Sequence, residues 1–214
     1  MSVYNSFSYI YPTRPKNAVP VDYLKNWDNN TMLGQPKVNG SNCLIFTNGT
    51  TYRTMNRHNQ NLTNFQLDRS EISKLYEKTT PGTWMVINGE YLNKSKRDEN
   101  NVVFNHKLII FDILVINSDY LIGKTFKGRV EILDNLYGKN DSDKDYFYSI
   151  TENIYRVKTY ENNFVELFDS LSKIDMIEGL VLKRKNAGLE RGNTENNNSK
   201  SQVKFRKPTK NYQY

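Results

Sequence analysis

The sequence is poor in the residues that build several common kinds of site. Cys43 is the only cysteine among 214 residues, which excludes an internal disulfide framework and a zinc site with several cysteine ligands. The two histidines, His58 and His106, lie far apart without a serine or cysteine nucleophile motif, so a catalytic triad is not expected. The sequence also contains neither G-x-x-x-x-G-K nor G-x-G-x-x-G, the common phosphate-binding loops.

Long hydrophobic runs are missing as well. The longest, from Leu108 to Ile116, is too short to cross a membrane and is interrupted by Asp112. The first residues have neither the basic nor the apolar region of a secretory signal. Hydrophobic residues nevertheless make up 37% of the chain, enough for a packed core. We therefore expect a cytoplasmic, monomeric protein that forms one domain, residues 1–214, and does not bind membranes.

The positive charge is confined to one end of the chain. The net charge is +7, and residues 183–214 contain nine basic and two acidic residues, which accounts for the whole excess. The rest of the chain is formally neutral. A basic segment of this kind indicates a polyanionic partner, for which nucleic acid is favoured over an anionic membrane because no basic amphipathic helix is visible.

Helical and strand patterns alternate without βαβ regularity, which predicts an α+β fold with mostly antiparallel strands. Residues 1–34 contain Pro12, Pro15 and Pro20 and are predicted to be irregular. Asn48-Gly49 suits a type I′ turn between two strands. Strands are predicted at 42–55 (as a hairpin), 83–92, 106–116, 177–185 and 201–207, and helices at 70–78 (capped by Ser70), 125–137 (capped by Thr125) and near 164–171.

Four features are compatible with nucleotidyl transfer, although they do not single it out. A lysine such as Lys37 can act as a covalent nucleophile, and Gly40 allows a phosphate to approach the backbone. Glu90 and Glu178, each on a predicted strand, could hold a ribose hydroxyl and Mg²⁺. The sequence VKFRK places alternating cations on one face of a strand, directed at phosphates.

In order and spacing, these motifs resemble the covalent nucleotidyltransferases, which comprise ATP-dependent DNA ligases, RNA ligases and mRNA capping guanylyltransferases. KVNG resembles the K-x-D-G motif, NRHNQNLTNF the following DNA-ligase segment, INGEYL the motif with an acidic ribose contact, and IIFDILV the aromatic-Asp motif. IEGLVLK resembles E-G-x-x-x-K, and VKFRKP the closing K-x-K motif. The resemblance covers roughly residues 10–210. It implies two antiparallel sheets with flanking helices around a nucleotide cleft, without the OB-fold domain of larger ligases.

The resemblance also implies a role for each matching residue. Lys37 would carry AMP, Phe111 would stack on the purine, and Glu178 would bind Mg²⁺. Lys183 would contact phosphate or base, and Lys204 would act on phosphate. The remaining nucleotide-binding residues would be Gln35, Pro36, Gly40, Arg57, Glu90 and Arg206.

The implied function is an ATP-dependent polynucleotide ligase that seals nicks in double-stranded DNA through lysyl-AMP, with Mg²⁺, in repair or replication. Two departures keep other functions open. Asn39 replaces the usual Asp, and Ser41-Asn42 follows the glycine as in editing and double-strand-repair RNA ligases, so an RNA-containing duplex is a second substrate candidate. A capping guanylyltransferase and a non-catalytic nucleic-acid-binding module are the further alternatives.

Overall fold

The computed structural model describes residues 9–15, 18–140, 144–192, 194 and 197–208. The strands are β1 (Arg14–Pro15), β2 (Met32–Val38), β3 (Ser41–Thr47), β4 (Tyr52–Met55), β5 (Met85–Leu92), β6 (Lys107–Ile116), β7 (Asp119–Tyr120), β8 (Phe147–Ser149), β9 (Ile154–Val157), β10 (Ile177–Arg184), β11 (Asn198–Ser199) and β12 (Gln202–Arg206). The helices are a 3₁₀ helix (Val21–Trp27), α1 (Arg69–Lys74), α2 (Phe126–Tyr137) and α3 (Phe164–Ser172). The predicted α+β composition is confirmed.

Two larger sheets form the frame of the molecule. One has three strands in the order β12-β10-β2 and is antiparallel throughout. The other has the order β4-β3-β5-β6-β9-β8, with β7 paired to β6. The expectation of two purely antiparallel sheets is wrong for the larger one, because β6 and β9 are parallel. A parallel pair requires a long crossover, and the chain between these strands includes α2.

The segment before Gly34 is more regular than the prolines predict. It contains the 3₁₀ helix, the short strand β1 and the start of β2. Pro36 lies inside β2, and β2 is the edge strand of the three-stranded sheet. An edge strand tolerates proline because one side of it makes no ladder hydrogen bonds. The prediction therefore missed the strand that carries Lys37.

Two other local predictions need correction. The hairpin of β3 and β4 pairs Thr47 with Tyr52, so its loop has four residues rather than the two of a type I′ turn. Only Gly49, at φ +85°, is left-handed there. Helix α1 begins after Asp68 rather than Ser70 and ends at Lys74, because the following amides bond to carbonyls three residues back.

The predicted α2 is confirmed at both ends. Thr125 accepts a hydrogen bond from Gly128 N at 3.1 Å, which satisfies one of the free amides at a helix start. Gly138 ends the helix at φ +71°, a conformation that glycine adopts without strain.

Apolar side chains hold the sheets in place on the sides away from the site. One core joins Leu180, Leu182 and Phe205 of the three-stranded sheet to α3 and to Ile109 of β6. A second core joins β3, β5 and β6 to α1 and α2. Each fully buried Leu, Ile or Phe contributes about 1.5–3 kcal/mol, so these faces fix which side of each sheet remains for polar residues. No helix in the described ranges is both long and apolar enough to cross a membrane.

Candidate active site

A cleft of about 840 Å³ opens between the polar faces of the two larger sheets. All eleven residues nominated from the sequence line it. They are Gln35, Pro36, Lys37, Gly40, Arg57, Glu90, Phe111, Glu178, Lys183, Lys204 and Arg206. The tertiary structure thus brings together residues that the chain separates widely, and the volume lies within the range of small-molecule sites.

The three-stranded sheet presents an alternating row of side chains to the cleft. On β12, Lys204 and Arg206 line the cleft, whereas Val203 and Phe205 are buried in the core. The register places Val181 of β10 opposite Gln35 on one side and Lys204 on the other. Because side chains alternate along a strand, the pattern that buries the apolar residues also directs the cations into the cleft.

A β-bulge places Glu178 beside Lys37. The register between β10 and β2 shifts between Ile177 and Gly179, so Glu178 is the extra residue of the bulge. Its Oε2 atom makes an ion pair with Lys37 Nζ and lies 3.3 Å from Arg206 Nη2. Bulges re-aim side chains in this way. The result is one carboxylate in contact with the nominated nucleophile and with a second cation.

Gly179 makes this bulge possible. Its φ is +146°, and a Cβ atom built there would lie 2.0 Å from the Phe205 carbonyl oxygen. Residues with side chains avoid this conformation. The E-G pair in the sequence therefore has a structural meaning: the glycine permits the backbone path that directs the preceding carboxylate into the cleft.

A second bulge presents Phe111. The pairing of β5 with β6 steps from Asn88–Asp112 to Gly89–Ile110, so Phe111 has no partner on β5. Its carbonyl oxygen accepts a hydrogen bond from Gln35 Nε2 at 3.3 Å. The same amide nitrogen donates to Thr159 Oγ1 at 3.2 Å. Gln35 is 3% exposed, and its Oε1 atom is buried without a hydrogen-bond partner among the described residues.

Next to Phe111, the Lys183 ammonium is enclosed by rings and charges. It lies 4.9 Å from the centre of the Phe111 ring and 4.5 Å from that of Phe126, distances typical of cation–π contacts. The nearest carboxylate oxygen is Asp112 Oδ2, at 3.9 Å. Burial lowers the pKa of Lys183, Asp112 opposes this shift and Arg129 adds to it, and the resulting pKa is about 8.

Glu90 lies across the cleft on β5, where it pairs in register with Asn42 of β3. Burial raises the pKa of the Glu90 carboxyl to about 7, and Glu178 acts in the same direction. Lys37, the backbone N–H of Gly40 and Arg57 oppose the shift. A Cβ at Gly40 would lie 2.5 Å from the Tyr91 carbonyl oxygen, so only glycine allows this close approach.

Arg57 is the most peripheral of the nominated residues. It is exposed on the loop after β4, and its Nε atom lies 3.1 Å from His58 Nε2. Arg57 nevertheless acts electrostatically on Glu90. It therefore lies at the rim of the cleft, within electrostatic reach of the carboxylate.

Sequence reasoning missed three charged residues of the site, namely Asp112, Arg129 and Arg14. Asp112 lines the cleft beside the predicted Lys183, and Arg129 binds Asp112 from α2. Asp112 interrupts an apolar strand, and a buried carboxylate requires a partner, so its position was a usable signal. Arg129, within an amphipathic helix, is the partner. Arg14, also in the cleft wall, carried no such signal.

The carboxylates allow a test of whether the residues fit Mg²⁺. No group of three or more His, Cys, Asp or Glu side chains that could hold a metal occurs in the described part of the chain. Mg²⁺ is commonly held by one or two carboxylates together with substrate phosphates and water. Glu178 and Glu90 interact across the cleft, so these donors fit a Mg²⁺ ion bound mainly through the nucleotide.

The two sheets and the cleft between them define the fold: it is that of the ligase domains of DNA ligases. The mycobacterial DNA ligase D complexed with ATP and MES has a TM-score of 0.65 and 16% identity, over 94% of this chain and 62% of that one. The ligase domain of LigD from M. tuberculosis gives 0.63 and 15%, over 94% and 61%. A Lig E DNA ligase, described as binding DNA with a minimal scaffold, gives 0.55 and 15%, over 94% and 70%.

These similarities are structural. No protein-family model and no curated protein sequence matches the chain. The chain spans 61–62% of the length of the two mycobacterial structures. The similarity therefore supports the resemblance seen in the motifs and establishes the fold, whereas the reaction has to be argued from the cleft.

Proposed function

We propose that this protein is an ATP-dependent polynucleotide ligase that seals nicks between a 5′-phosphate and a 3′-hydroxyl, with nicked double-stranded DNA as the favoured substrate. The observation that carries the proposal is the contact between Lys37 Nζ and Glu178 in a cleft that also contains Lys204 and Arg206. A lysine amine beside a carboxylate and several cations is suited to attack a phosphorus atom.

The first step forms lysyl-AMP. The ammonium of Lys37 has to lose a proton before attack, and the Glu178 carboxylate in contact with it is positioned to receive that proton and pass it to solvent. Lys37 Nζ then forms a bond to the α-phosphorus of ATP while the bond from that phosphorus to the bridging oxygen breaks. Pyrophosphate leaves with the bonding electrons, and Nζ releases its second proton to solvent.

The next two steps transfer AMP and close the strand. A 5′-phosphate oxygen attacks the AMP phosphorus, the P–N bond breaks, and Lys37 Nζ takes up a proton from solvent and leaves as the amine. The 3′-hydroxyl then attacks the activated 5′-phosphate and loses its proton to solvent, and AMP leaves as the phosphodiester forms. Lys204 and Arg206 would stabilise the negative charge on the phosphate oxygens. Bound Mg²⁺, held partly by Glu178, would supply further neutralisation of that charge.

Gln35 supports adenine as the base. Its Nε2 atom has to face the Phe111 carbonyl, which can only accept, so its Oε1 atom is the buried acceptor without a described partner. Adenine offers an N6 amino donor, whereas guanine offers the acceptor O6. If Phe111 stacks on the base, an unpaired acceptor beside it supports ATP over GTP and speaks against a capping guanylyltransferase.

Self-labelling tests the proposal directly. The protein is incubated with ATP radiolabelled at the α-phosphate and with Mg²⁺, and is then analysed on a denaturing gel. We expect label on the wild type and on Lys74→Ala, a control at an exposed lysine of α1, but not on Lys37→Ala. An unlabelled wild type, or equal labelling of Lys37→Ala, contradicts the proposal.

An RNA ligase is the second candidate, favoured by Ser41-Asn42. Asn42 lines the cleft, and its amide donates to Asn88 Oδ1 at 2.9 Å and to the Gly89 carbonyl at 3.2 Å. Sealing rates on matched all-DNA, all-RNA and hybrid nicks distinguish the candidates. Failure on DNA together with sealing of RNA would assign the protein to RNA repair.

A further inference from the structure

The outer wall of the cleft is formed by the N-terminal segment Pro12–Pro15. Strand β1 pairs in parallel with β11, with Arg14 opposite Asn198. Gln202 Nε2 donates to Thr13 Oγ1 at 2.8 Å, and Arg14 Nε donates to Asn198 Oδ1 at 3.3 Å. These contacts hold the segment, and Arg14 with it, against the basic C-terminal strands.

This wall brings Arg14 close to Lys204. Lys204 Nζ donates to the Pro15 carbonyl at 3.4 Å, and Val19 N donates to the Lys204 carbonyl at 3.0 Å. Burial lowers the pKa of Lys204, and Arg206, Lys37 and Arg14 add to that effect. The positive charge of Arg14 therefore acts on the Lys204 ammonium within the cleft.

The sheet separates this pair of cations from the nominated nucleophile. Lys37 lies on β2 and Lys204 on β12, with β10 between them. Adjacent strands are about 4.8 Å apart, which puts the two edge strands roughly 10 Å from each other. The register sets Lys37 opposite Gly179, which in turn faces Arg206, whereas Lys204 lies two residues away along β12, opposite the uncharged Val181. A triphosphate that starts at Lys37 and crosses the sheet diagonally over Val181 would end at Lys204 and Arg14.

In-line phosphoryl transfer requires the leaving group to depart on the side opposite the nucleophile. We propose that Arg14, together with Lys204, binds the β- and γ-phosphates of the nucleoside triphosphate and holds the pyrophosphate leaving group during attack by Lys37. This assignment rests on the proposed ligase function and adds to it a residue from the N-terminal wall. A guanidinium is suited to the task because its planar fork binds two phosphate oxygens at once.

The first test measures binding without any nucleotide chemistry. Inorganic tripolyphosphate is titrated calorimetrically into the whole protein, its Arg14→Gln variant and an Arg69→Gln control. Arg69 lies on α1, outside the cleft. Loss of a charge-assisted hydrogen-bond donor should raise the Kd by about 10-fold or more in Arg14→Gln, and Arg69→Gln should match the wild type. Absence of tripolyphosphate binding by the wild type, or equal affinity of Arg14→Gln, overturns the proposal.

The second test separates the chemical steps. Single-turnover labelling with ATP should slow by about 10-fold or more in Arg14→Gln, whereas sealing of a nick that already carries AMP on its 5′ end should proceed at the wild-type rate. The reverse result, normal labelling with impaired sealing, would assign Arg14 to the nucleic-acid backbone and overturn the proposal. If the wild type is not labelled by ATP, the proposed function fails, while the tripolyphosphate titration still reports on Arg14.

A conservative variant keeps the proposal testable if Arg14→Gln does not fold. Arg14→Lys keeps the charge but loses the fork, and we expect it to weaken tripolyphosphate binding by a smaller factor, about 3-fold. Thermal unfolding of both variants verifies that they are folded. Wild-type affinity in a folded Arg14→Lys variant would show that charge alone acts here and would contradict the bidentate contact.

Discussion

The carboxylate of Asp112 binds the guanidinium of Arg129 through two hydrogen bonds, 2.7 Å from Nε to Oδ1 and 3.0 Å from Nη2 to Oδ2. Both side chains are almost fully buried. Burial acts to raise the pKa of Asp112, but Arg129 and Lys183 outweigh it and the pKa is lowered. The carboxylate thus stays charged and interacts with two cations, Arg129 and Lys183, of which Lys183 lines the cleft.

Asp112→Asn should destabilise the protein strongly. The amide leaves Arg129 buried without a counter-charge, and removing one partner of a buried ion pair typically costs about 3–5 kcal/mol. Urea unfolding gives the free energy of unfolding for the wild type and the variant. Asp119→Asn, at an exposed position of β7, is the control and should change it by less than about 0.5 kcal/mol. A comparably small effect at Asp112 would contradict the importance of this pair.

Gly179→Ala should impair both stability and labelling. The methyl group would meet the Phe205 carbonyl at 2.0 Å, so the bulge has to rearrange and Glu178 would leave Lys37. Gly82→Ala is the matched control: Gly82 has φ +78° and open space around its Cβ position, so only the strain of about 1–2 kcal/mol is expected there. Equal unfolding free energies and equal labelling rates in the two variants would contradict the role of the bulge.

Glu90 should make stability fall as the pH rises. Its pKa of about 7 in the folded protein exceeds the ordinary value of 4.5, so between these values the folded state binds more protons than the unfolded state. The stabilisation is complete below about pH 4.5 and is lost as the pH passes through about 7. Glu90→Gln removes this titration, and urea unfolding from pH 5 to 8 compares the two proteins. Parallel curves for the two would show that Glu90 does not titrate in this window.

Gln35→Met should weaken the preference for ATP over GTP by roughly 10-fold, because the acceptor beside the base is lost. The ratio of labelling rates with the two nucleotides measures this. Thr159→Val is the control, since it removes one hydrogen-bond partner of Gln35 Nε2 but leaves the Oε1 acceptor. An unchanged ratio in Gln35→Met, or an equal loss in Thr159→Val, would show that Oε1 does not read the base.

Binding to a nick should weaken steeply with salt. The basic excess of the chain lies in residues 183–214, and phosphate contacts release counterions, with a slope of about −0.9 per phosphate in log Kobs against log salt concentration. Fluorescence anisotropy of a labelled nicked duplex, from low to physiological salt, gives this slope. A slope near zero would show that residues 183–214 do not bind the nick through electrostatic contacts with its phosphates.

Much of the site was predictable because the motifs carry the chemistry in local sequence. Three short patterns each suggest one part of the reaction. They are Gly40 three residues after Lys37, Glu178 directly before a glycine, and Lys204 alternating with Arg206. The alternation rule also predicts correctly that Lys204 and Arg206 share a face. The roles of these residues in catalysis remain predictions for the experiments above.

Other features could not be read from the sequence because they depend on strand register. A bulge shifts the pairing by one residue without a dependable local signal, and two bulges direct Glu178 and Phe111 into the cleft. Pro36 hid the strand that carries Lys37 from sequence-based prediction, because proline fits a strand at a sheet edge. Whether a strand lies at an edge depends on the strands beside it in the tertiary structure. The parallel pairing of β6 with β9 likewise follows from how the crossover packs.

The sequence by itself determined the residue types of the chemistry, the α+β composition and the position of the positive charge along the chain, since these depend on short-range pattern. Tertiary structure alone decided which charges meet. It paired Asp112 with Arg129 and Lys183, set Glu178 against Lys37 across 141 positions, and placed Arg14 near Lys204 from the opposite end of the chain. These contacts form because burial of the apolar faces fixes how the strands align, and the alignment of the strands sets the positions of their polar side chains.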